Sequence, residues 1–346
     1  MEHVKTFATA TALAATFLFG ALPAAAQDKI VLKYSSWFPP AHSINTALKQ
    51  WIANVETATQ GRVTVEYLPA TVGTPRDQFD VARDGLADIT LVLPGYTPGR
   101  FPLMELGELP LQVETDQKRV APAFNRMYDS QLAKYEPFKG THVLTVFASA
   151  PTSIVTAVSK PVTSMDGLKG LKLRAPSATA SQVIDALGAV TVQKPVTEIY
   201  ELASTGVVDG TFFSLAPIIS WKTDSVFKNI TQMPGGMGQS VIALLINQAK
   251  WDAIPEGDRT AIAGVSGPAL AGLIGEVWQT DEDVAKGKLA EIGGFTYHEP
   301  SAEFVTAFKT AMGPVEKAWA DKVAATGVEN PQGLLDALRA ELAASQ

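Results

Sequence analysis

Residues 168–214 read LKGLKLRAPSATASQVIDALGAVTVQKPVTEIYELASTGVVDGTFFS and decide the fold class of the chain. Their pattern predicts, in order, a strand over 171–174, a helix over 177–188, an apolar segment over 190–192, a helix over 197–205 and a strand from Val207. Alternating strands and helices are typical of an open α/β sheet. Arg174 ends the first strand just before a helix, and ligands bind at that edge of doubly wound sheets.

Composition limits what the chain can do. It has 346 residues, of which 46% are hydrophobic, and this length favours about two domains. Cysteine is absent, which excludes disulfides, thiol nucleophiles and cysteine metal ligands. The net charge is −7 and no basic block occurs, so we expect no nucleic acid and no anionic membrane surface as a partner.

The N-terminus has the pattern of a secretory signal peptide. Lys5 precedes an apolar run over 7–22, and small residues occupy the positions before a cleavage site after about Ala26. The run is too short for a retained membrane anchor, which is the alternative interpretation. We therefore expect residues 1–26 to be removed and the mature chain to be soluble and periplasmic.

A short internal repeat predicts two similar lobes. ARDGLADITLVLPG (82–95) and ASTGVVDGTFFSLA (203–216) each place a helix end, a glycine and an aspartate before an apolar strand. We expect lobe I to comprise 27–150 plus 241–279, and lobe II, which carries Arg174, to comprise 151–240 plus 280–346. A cleft between two lobes commonly binds a small ligand. The sequence also predicts a hinge at 234–238, the return of strand 241–246 to lobe I and a long helix over 267–292.

Motifs of catalysis are missing from the sequence. Outside 1–26 the histidines His42, His142 and His298 are far apart, and no HExxH, GxSxG or P-loop pattern occurs. We expect no enzyme, no catalytic residue, no metal and no cofactor. Arg174 is the remaining chemical candidate, because a guanidinium can hold a carboxylate through two parallel hydrogen bonds. On the residues alone, a surface arginine is an equal alternative.

Several segments resemble one known family along nearly the whole mature chain. GLKLRAPSATASQVIDALGA (170–189) is similar to that family's GLKIRVP…LGA segment, and VTEIYELASTGVVDG (196–210) to its VYtALqtGvVDGqEN segment. TQGRV (59–63) and INQAKWDAIPEGDRTAI (246–262) match two further segments in the same order. The chain thus resembles the dicarboxylate-receptor-type solute-binding proteins of tripartite ATP-independent periplasmic (TRAP) transporters.

This resemblance implies a fold and a function. The fold would be a periplasmic-binding-protein-like clamshell of two α/β lobes with a hinge and a long bridging helix. The protein would be a monomeric receptor that delivers an organic acid to the membrane permease subunits, and Arg174 would match the family's carboxylate-binding arginine. Three alternatives stay open: a C4-dicarboxylate or keto-acid receptor, a receptor serving a sensor kinase, and a periplasmic enzyme that processes carboxylates on a similar scaffold.

Two departures from the family pattern concern the ligand. The family's ligand-contacting asparagine falls on Phe213, next to Phe212, and its second arginine falls in 148–152, which contains none. A second carboxylate would therefore stay unpaired in a closed cleft, at a cost of several kcal/mol. We expect a monocarboxylate with an apolar or aromatic body.

Further candidate ligand contacts follow from their positions at strand ends and helix starts. Trp37 and Phe38 could stack on a planar ligand, and Tyr96 could form a cleft wall, although ordinary packing is an equal alternative. His42 could donate to the ligand or only cap a helix. Ser149 and Thr152 could bind the carboxylate or only the crossover backbone. For Trp221 we expect packing.

Overall fold

The structure is a computed structural model that describes residues 29–110 and 116–344, so the predicted signal peptide lies outside the described residues. The strands are β1 Ile30–Ser35, β2 Val63–Tyr67, β3 Ile89–Val92, β4 Thr141–Ala148, β5 Ser153–Ala157, β6 Lys172–Ala175, β7 Val190–Gln193, β8 Gly210–Phe213, β9 Phe227–Thr231, β10 Val241–Asn247 and β11 Thr296–His298. The α-helices are α1 Ile44–Ala58, α2 Gln78–Arg83, α3 Gln117–Met127, α4 Ala178–Ala186, α5 Ile199–Ser204, α6 Leu215–Ser220, α7 Gln248–Ala253, α8 Glu256–Gly264, α9 Gly267–Ile292, α10 Ala302–Ala324 and α11 Pro331–Ala344.

The described strands form two sheets, which confirms the predicted α/β class. The first has the order β2-β1-β3-β10-β4, and the second β11-β9-β5-β8-β6-β7. Within the first sheet, β10 runs antiparallel to both β3 and β4, so the chain returns to this sheet as expected. Within the second, β5 runs antiparallel to β8 and β9. The backbone crosses between the sheets at 149–152 and 232–240.

The stretch that decides the fold forms β6, α4, β7, α5 and β8. The Ser177 side chain caps α4 by accepting a hydrogen bond from the Ala180 backbone. The last strand begins at Gly210, so the predicted start at Val207 was wrong. Instead, the Asp209 carboxylate accepts from the Lys172 backbone nitrogen at 2.8 Å, and its own nitrogen donates to the Lys172 carbonyl at 2.7 Å.

The same clamp occurs in the first sheet. The Asp88 carboxylate accepts from the Lys33 nitrogen at 2.8 Å, and its nitrogen donates to the Lys33 carbonyl at 2.9 Å. Asp88 thus fixes the start of β3 to its neighbour β1, and Asp209 fixes the start of β8 to its neighbour β6. The internal repeat therefore has a structural counterpart in both sheets.

Helix α9 bridges the two sheets, as predicted. It packs against α1, α3 and β4 beside the first sheet, and against α6, which follows β8 of the second. Pro268 lies in its first turn, and Gly293 follows its end with a φ of 72°, which favours glycine. By length and composition the stretch Glu256–Ile292 is apolar enough to cross a membrane, but one face of α9 packs here against α1, α3 and α6.

Two findings differ in detail from the expectations. Residues 96–111 are rich in proline and glycine, a composition that predicts a loop, but the chain forms short 3-10 helices at Pro94–Tyr96 and Pro102–Glu108, and most of their apolar side chains are buried. The strands of each sheet lie within the ranges expected for one lobe, but α11 packs against α3. The division into 27–150 plus 241–279 and 151–240 plus 280–346 stays a proposal.

Candidate functional site

A cleft between the sheets contains every candidate from the sequence. It holds about 1050 Å³ of space, with open solvent at its mouth included. Nine predicted ligand contacts line it: Trp37, Phe38, His42, Tyr96, Ser149, Thr152, Arg174, Phe212 and Phe213. Because these residues come from segments far apart in sequence, their convergence points to one binding site.

Arg174 is buried at the end of β6 and has unused hydrogen-bonding capacity. Its Nε donates to the Lys194 carbonyl at 2.8 Å, while Nη2 is buried without a partner. Burial lowers the pKa of Arg174, which the neighbouring Tyr96 and Glu198 oppose, and a guanidinium remains charged in proteins. A buried cation with an unused donor in a cleft is suited to an anionic group.

Tyr96 connects the two sides of the cleft. Its hydroxyl oxygen accepts a hydrogen bond from the Val196 nitrogen at 3.1 Å, and the Arg174 guanidinium is close enough to influence its pKa. Burial raises the pKa of Tyr96, so the phenol keeps its proton. A hydroxyl has one donor hydrogen and two acceptor positions, so this hydrogen remains available to a ligand carboxylate beside Arg174.

Neighbouring rings form one wall of the cleft, which we call the aromatic wall: Trp37, Phe38, His42, Trp221 and Trp278. The Trp37 and Phe38 rings stack with centroids 3.9 Å apart, and Phe38 lies 4.6 Å from His42. His42 in turn lies 6.0 Å from Trp221 and 6.4 Å from Trp278. The rings of Trp37 and Phe38 pack on one another and also line the cleft, so their packing is observed and their contact with a ligand stays a prediction.

His42 is a neutral member of this wall. Its Nδ1 accepts from the Ile44 nitrogen at 3.2 Å, while the Ser43 side chain makes no cap, so His42 performs the capping at the start of α1. Burial lowers the pKa of His42 to about 4. The ring therefore carries its proton on Nε2 at neutral pH, and this nitrogen is the one left to donate to a ligand.

Phe212 and Phe213 end β8 and are both buried. Phe212 packs with the apolar cluster that contains Leu173, whereas Phe213 packs with the cluster that contains Trp37. Phe213 thus presents an apolar ring at the position where the family pattern has an asparagine. The aspartate clamp fixes this strand, because it holds Asp209 just before β8.

The hydroxyls of Ser149 and Thr152 already bind the crossover backbone. The Ser149 Oγ accepts from the Ser240 nitrogen at 2.9 Å and donates to the Ala150 carbonyl at 3.2 Å. The Thr152 hydroxyl donates to the Gly238 carbonyl at 2.9 Å. Both side chains line the cleft, but their protons are occupied, and a carboxylate needs donors.

The sequence did not indicate several residues of the cleft, among them Glu108, Gln117, Gln239, Trp278 and Glu282. Within the described residues, eight buried side-chain nitrogen or oxygen atoms have no hydrogen-bond partner. Five of these eight belong to residues that line the cleft: Glu108 Oε2, Gln117 Oε1, Arg174 Nη2, Gln239 Oε1 and Trp278 Nε1. Because buried polar groups are normally satisfied, their concentration here indicates a site that completes its bonds with a ligand.

Glu108 and Glu282 have different environments in the cleft. Burial together with nearby Glu105 raises the pKa of Glu108 to about 8, and the neighbouring Ser177 side chain partly opposes this shift. Glu282 reaches from α9 to the start of α6, where it accepts from the Ser214 hydroxyl at 2.5 Å and the Leu215 nitrogen at 2.8 Å. Glu282 therefore has a structural role, whereas Glu108 keeps one oxygen without a partner.

Metal-binding geometry is not found in the described ranges. Among residues 29–110 and 116–344, no group of three or more histidine, aspartate or glutamate side chains is placed to hold a metal ion. The chemistry that the cleft presents is therefore one buried cation, an aromatic wall, three acidic side chains and a set of amide and hydroxyl groups.

Comparison with known proteins identifies the family. Bacterial extracellular solute-binding protein family 7 (DctP) matches residues 34–322. A TRAP periplasmic solute-binding protein from Bordetella bronchiseptica, with bound (R)- and (S)-mandelate, is 34% identical and has a TM-score of 0.85, covering 92% of this chain and 100% of its own.

A marine metagenome TRAP solute-binding protein specific for aromatic acid ligands, in complex with 3-hydroxybenzoate, is 30% identical with a TM-score of 0.84, and the match covers 92% of this chain and 99% of that one. Outer membrane transporter protein TsaT of Comamonas testosteroni is 29% identical, over 95% of this chain and 97% of its own. The family and its structural relatives are solute-binding receptors of the TRAP type. The resemblance read from the sequence is thus confirmed, and the chain belongs to family 7 of the bacterial extracellular solute-binding proteins.

Proposed function

We propose that the chain binds a monocarboxylate with an aromatic body in this cleft and delivers it to the permease subunits of a TRAP transporter. Arg174 holds the carboxylate in this proposal, and the aromatic wall holds the ring. The observation that carries it is the buried Nη2 of Arg174, which has no partner in a side chain that lines the cleft. A charge-assisted hydrogen bond from this atom would satisfy it.

The charge of the cleft supports one carboxylate rather than two. Arg174 is the single arginine or lysine among the described residues that line it, whereas Glu108, Asp281 and Glu282 line it as well. A second carboxylate would find no cation there and would be buried at a cost of several kcal/mol. The C4-dicarboxylate alternative is therefore disfavoured.

The aromatic wall supports a planar ligand body. Trp37 is held by a bond from its Nε1 to the Leu91 carbonyl at 3.0 Å, so its ring is fixed in position. Phe213 adds further ring surface to the cleft. Aromatic rings recognise other rings through stacked and edge-to-face contacts. The relatives that bind mandelate and 3-hydroxybenzoate support the same ligand class.

The remaining features of the proposal concern location and partners. We infer export to the periplasm with cleavage after about Ala26, a monomeric mature protein and docking to membrane subunits. The family assignment supports export and transport. A keto-acid ligand, service to a sensor kinase and a carboxylate-processing enzyme remain the alternatives. Against the enzyme, the His42 Nδ1 is occupied by Ile44 and is not available as a general base.

A thermal-shift screen of the mature chain tests the proposal, because a ligand that binds the native state raises the melting midpoint. Benzoate and phenylacetate should raise Tm in proportion to the logarithm of their concentration, whereas succinate and pyruvate should not. A larger shift with succinate or pyruvate would favour the corresponding alternative. Recovery of the bound acid as a changed product would favour the enzyme.

A further inference from the structure

We infer that the cleft also recognises a hydrogen-bond donor on the bound acid, a hydroxyl group, through Glu108, Gln117 and Gln239, which we call the cleft base. This inference rests on the proposed function and specifies its ligand further. It assigns to the protein a hydroxylated aromatic acid rather than the unsubstituted parent.

The three side chains of the cleft base come from adjacent segments. Gln117 Nε2 donates to the Ala148 carbonyl at 2.8 Å, and the next residue, Ser149, pairs through its nitrogen with the Ser240 carbonyl at 2.9 Å. Gln239, the residue before Ser240, therefore lies beside the segment that the Gln117 side chain binds. On the other side, a Cβ added at Gly238 would lie 2.4 Å from the Glu108 carbonyl oxygen, so these two backbones touch.

Each member of the cleft base presents an oxygen without a partner. Gln117 is 1% exposed, Glu108 6% and Gln239 8%, and all three line the cleft. The oxygen of Gln117 is unambiguous, because its amide nitrogen is fixed by the Ala148 carbonyl. An unpartnered buried acceptor weakens the binding of any ligand that cannot donate a hydrogen bond to it.

The orphan atoms divide into two chemical kinds. Arg174 Nη2 and Trp278 Nε1 are donors, which suit a carboxylate. The oxygens of Gln117 and Gln239 are acceptors, which a carboxylate cannot satisfy. A ligand that satisfies both kinds of atom is an acid that carries a carboxylate and a hydrogen-bond donor.

The charge of the cleft base favours a hydroxyl over an ammonium group. The two glutamines are neutral, and burial raises the pKa of Glu108 to about 8, so Glu108 holds its proton at neutral pH. An ammonium group would need a buried anion beside it. A hydroxyl can donate to a glutamine oxygen and accept from a protonated carboxyl, which matches the cleft base.

Paired titrations test this inference by calorimetry on the mature chain. Benzoate is compared with 2-, 3- and 4-hydroxybenzoate, and phenylacetate with mandelate, which places the hydroxyl on the ring or on the α carbon. We expect at least one hydroxylated acid to bind about tenfold or more tightly than its parent, because a site built for a hydroxyl discriminates against its absence. If a water molecule bound the cleft base as well as the hydroxyl group does, the hydroxylated and parent acids would bind with equal affinity.

Variants locate the effect. Gln239→Met removes one acceptor at similar volume and should lower the ratio of hydroxylated to parent affinity about tenfold. Gln182→Met is the matched control, because its Oε1 is also buried without a partner but Gln182 does not line the cleft. Gln117→Met pairs in the same way with Gln78→Met, since the Gln78 amide also donates to backbone carbonyls while its Oε1 has no partner.

The outcomes separate the two claims. Parent acids that bind at least as tightly as all their hydroxylated forms would overturn the inference and leave the proposed function standing. An unchanged ratio in both Gln239→Met and Gln117→Met would overturn the assignment to the cleft base. Failure of every aromatic acid to bind would instead contradict the proposed function.

Discussion

The Tyr96 hydroxyl oxygen lies 3.1 Å from the Val196 backbone nitrogen, and this bond joins the two sides of the cleft. Tyr96 follows β3 of the first sheet, and Val196 follows β7 of the second. Two further bonds cross nearby, from the Thr179 hydroxyl to Glu105 at 3.0 Å and from Trp319 Nε1 to the Pro102 carbonyl at 3.0 Å. In the described conformation these three bonds therefore connect segments that follow β3 with segments of the second sheet and with α10.

Tyr96→Phe should weaken binding of the aromatic acid. The change removes the acceptor for the Val196 nitrogen and the donor beside Arg174, and the lost bonds are together equivalent to about tenfold in affinity or more. Calorimetry measures the loss. Tyr200→Phe, at an exposed tyrosine, is the control and should bind as the wild type does. Equal affinity in both variants would show that Tyr96 is not part of the ligand site.

Phe213→Asn introduces the residue type that the family pattern has at this position. The polar amide replaces a buried ring that packs with the Trp37 cluster, so affinity for the aromatic acid should fall at least about tenfold. The free energy of unfolding should fall by about 3 kcal/mol, as for other large buried rings that are truncated. Denaturant titration and calorimetry give the two values. Tighter aromatic-acid binding by the variant would contradict the role given to Phe213.

Glu108→Gln should change how stability depends on pH. The pKa of Glu108 is about 8 in the folded chain, above its usual 4.5, so the native state binds the proton more tightly than the unfolded state. Between these values the native state carries more protons, and stability therefore decreases as pH rises from about 5 to 8. The variant lacks this titrating group, so its free energy of unfolding relative to that of the wild type should increase as the pH rises.

Urea denaturation at a series of pH values measures that difference. Glu291→Gln, at an exposed position of α9, serves as the control and should follow the wild type. A gap between Glu108→Gln and the wild type that stays constant from pH 5 to 8 would mean that Glu108 is ionised in the folded chain.

The two aspartate clamps should differ in strength. Asp88 is buried and also lies 3.5 Å from Lys250, whereas the bond of Asp209 is more exposed. Asp88→Ala should therefore cost about 2 kcal/mol of unfolding free energy and Asp209→Ala about 1 kcal/mol or less. Denaturant titration of the two variants measures this order. Asp209→Ala costing more than Asp88→Ala would reverse the order predicted from burial.

The fold was largely predictable because its signals are local. Pro268 and Gly293 mark the two ends of α9, and Ser177 marks the start of α4, so these bounds follow from chain chemistry. The segment 96–111 was misread because its prolines and glycines are typical of a loop. Its structure depends on burial of Leu103 and Met104 among other segments, which sequence does not display.

The candidate site was predictable where a residue has its own signal. Arg174 follows from its motif and its position at a strand end, and Phe213 from its departure from that motif. Gln239 and Trp278 have no such signal, because helical or loop position does not distinguish a cleft residue from a packed one. Their importance lies in unpartnered atoms, and whether an atom finds a partner is decided by the tertiary structure.

Calorimetric titration of Arg174→Lys with the aromatic acid that the wild type binds most tightly tests the central claim most directly. Lysine keeps the charge but loses the planar fork, so affinity should fall by about 100-fold or more, while Arg119→Lys at an exposed ion pair with Asp116 should bind normally. Circular dichroism confirms that both variants are folded. An Arg174→Lys protein that binds the acid as tightly as the wild type would contradict the account.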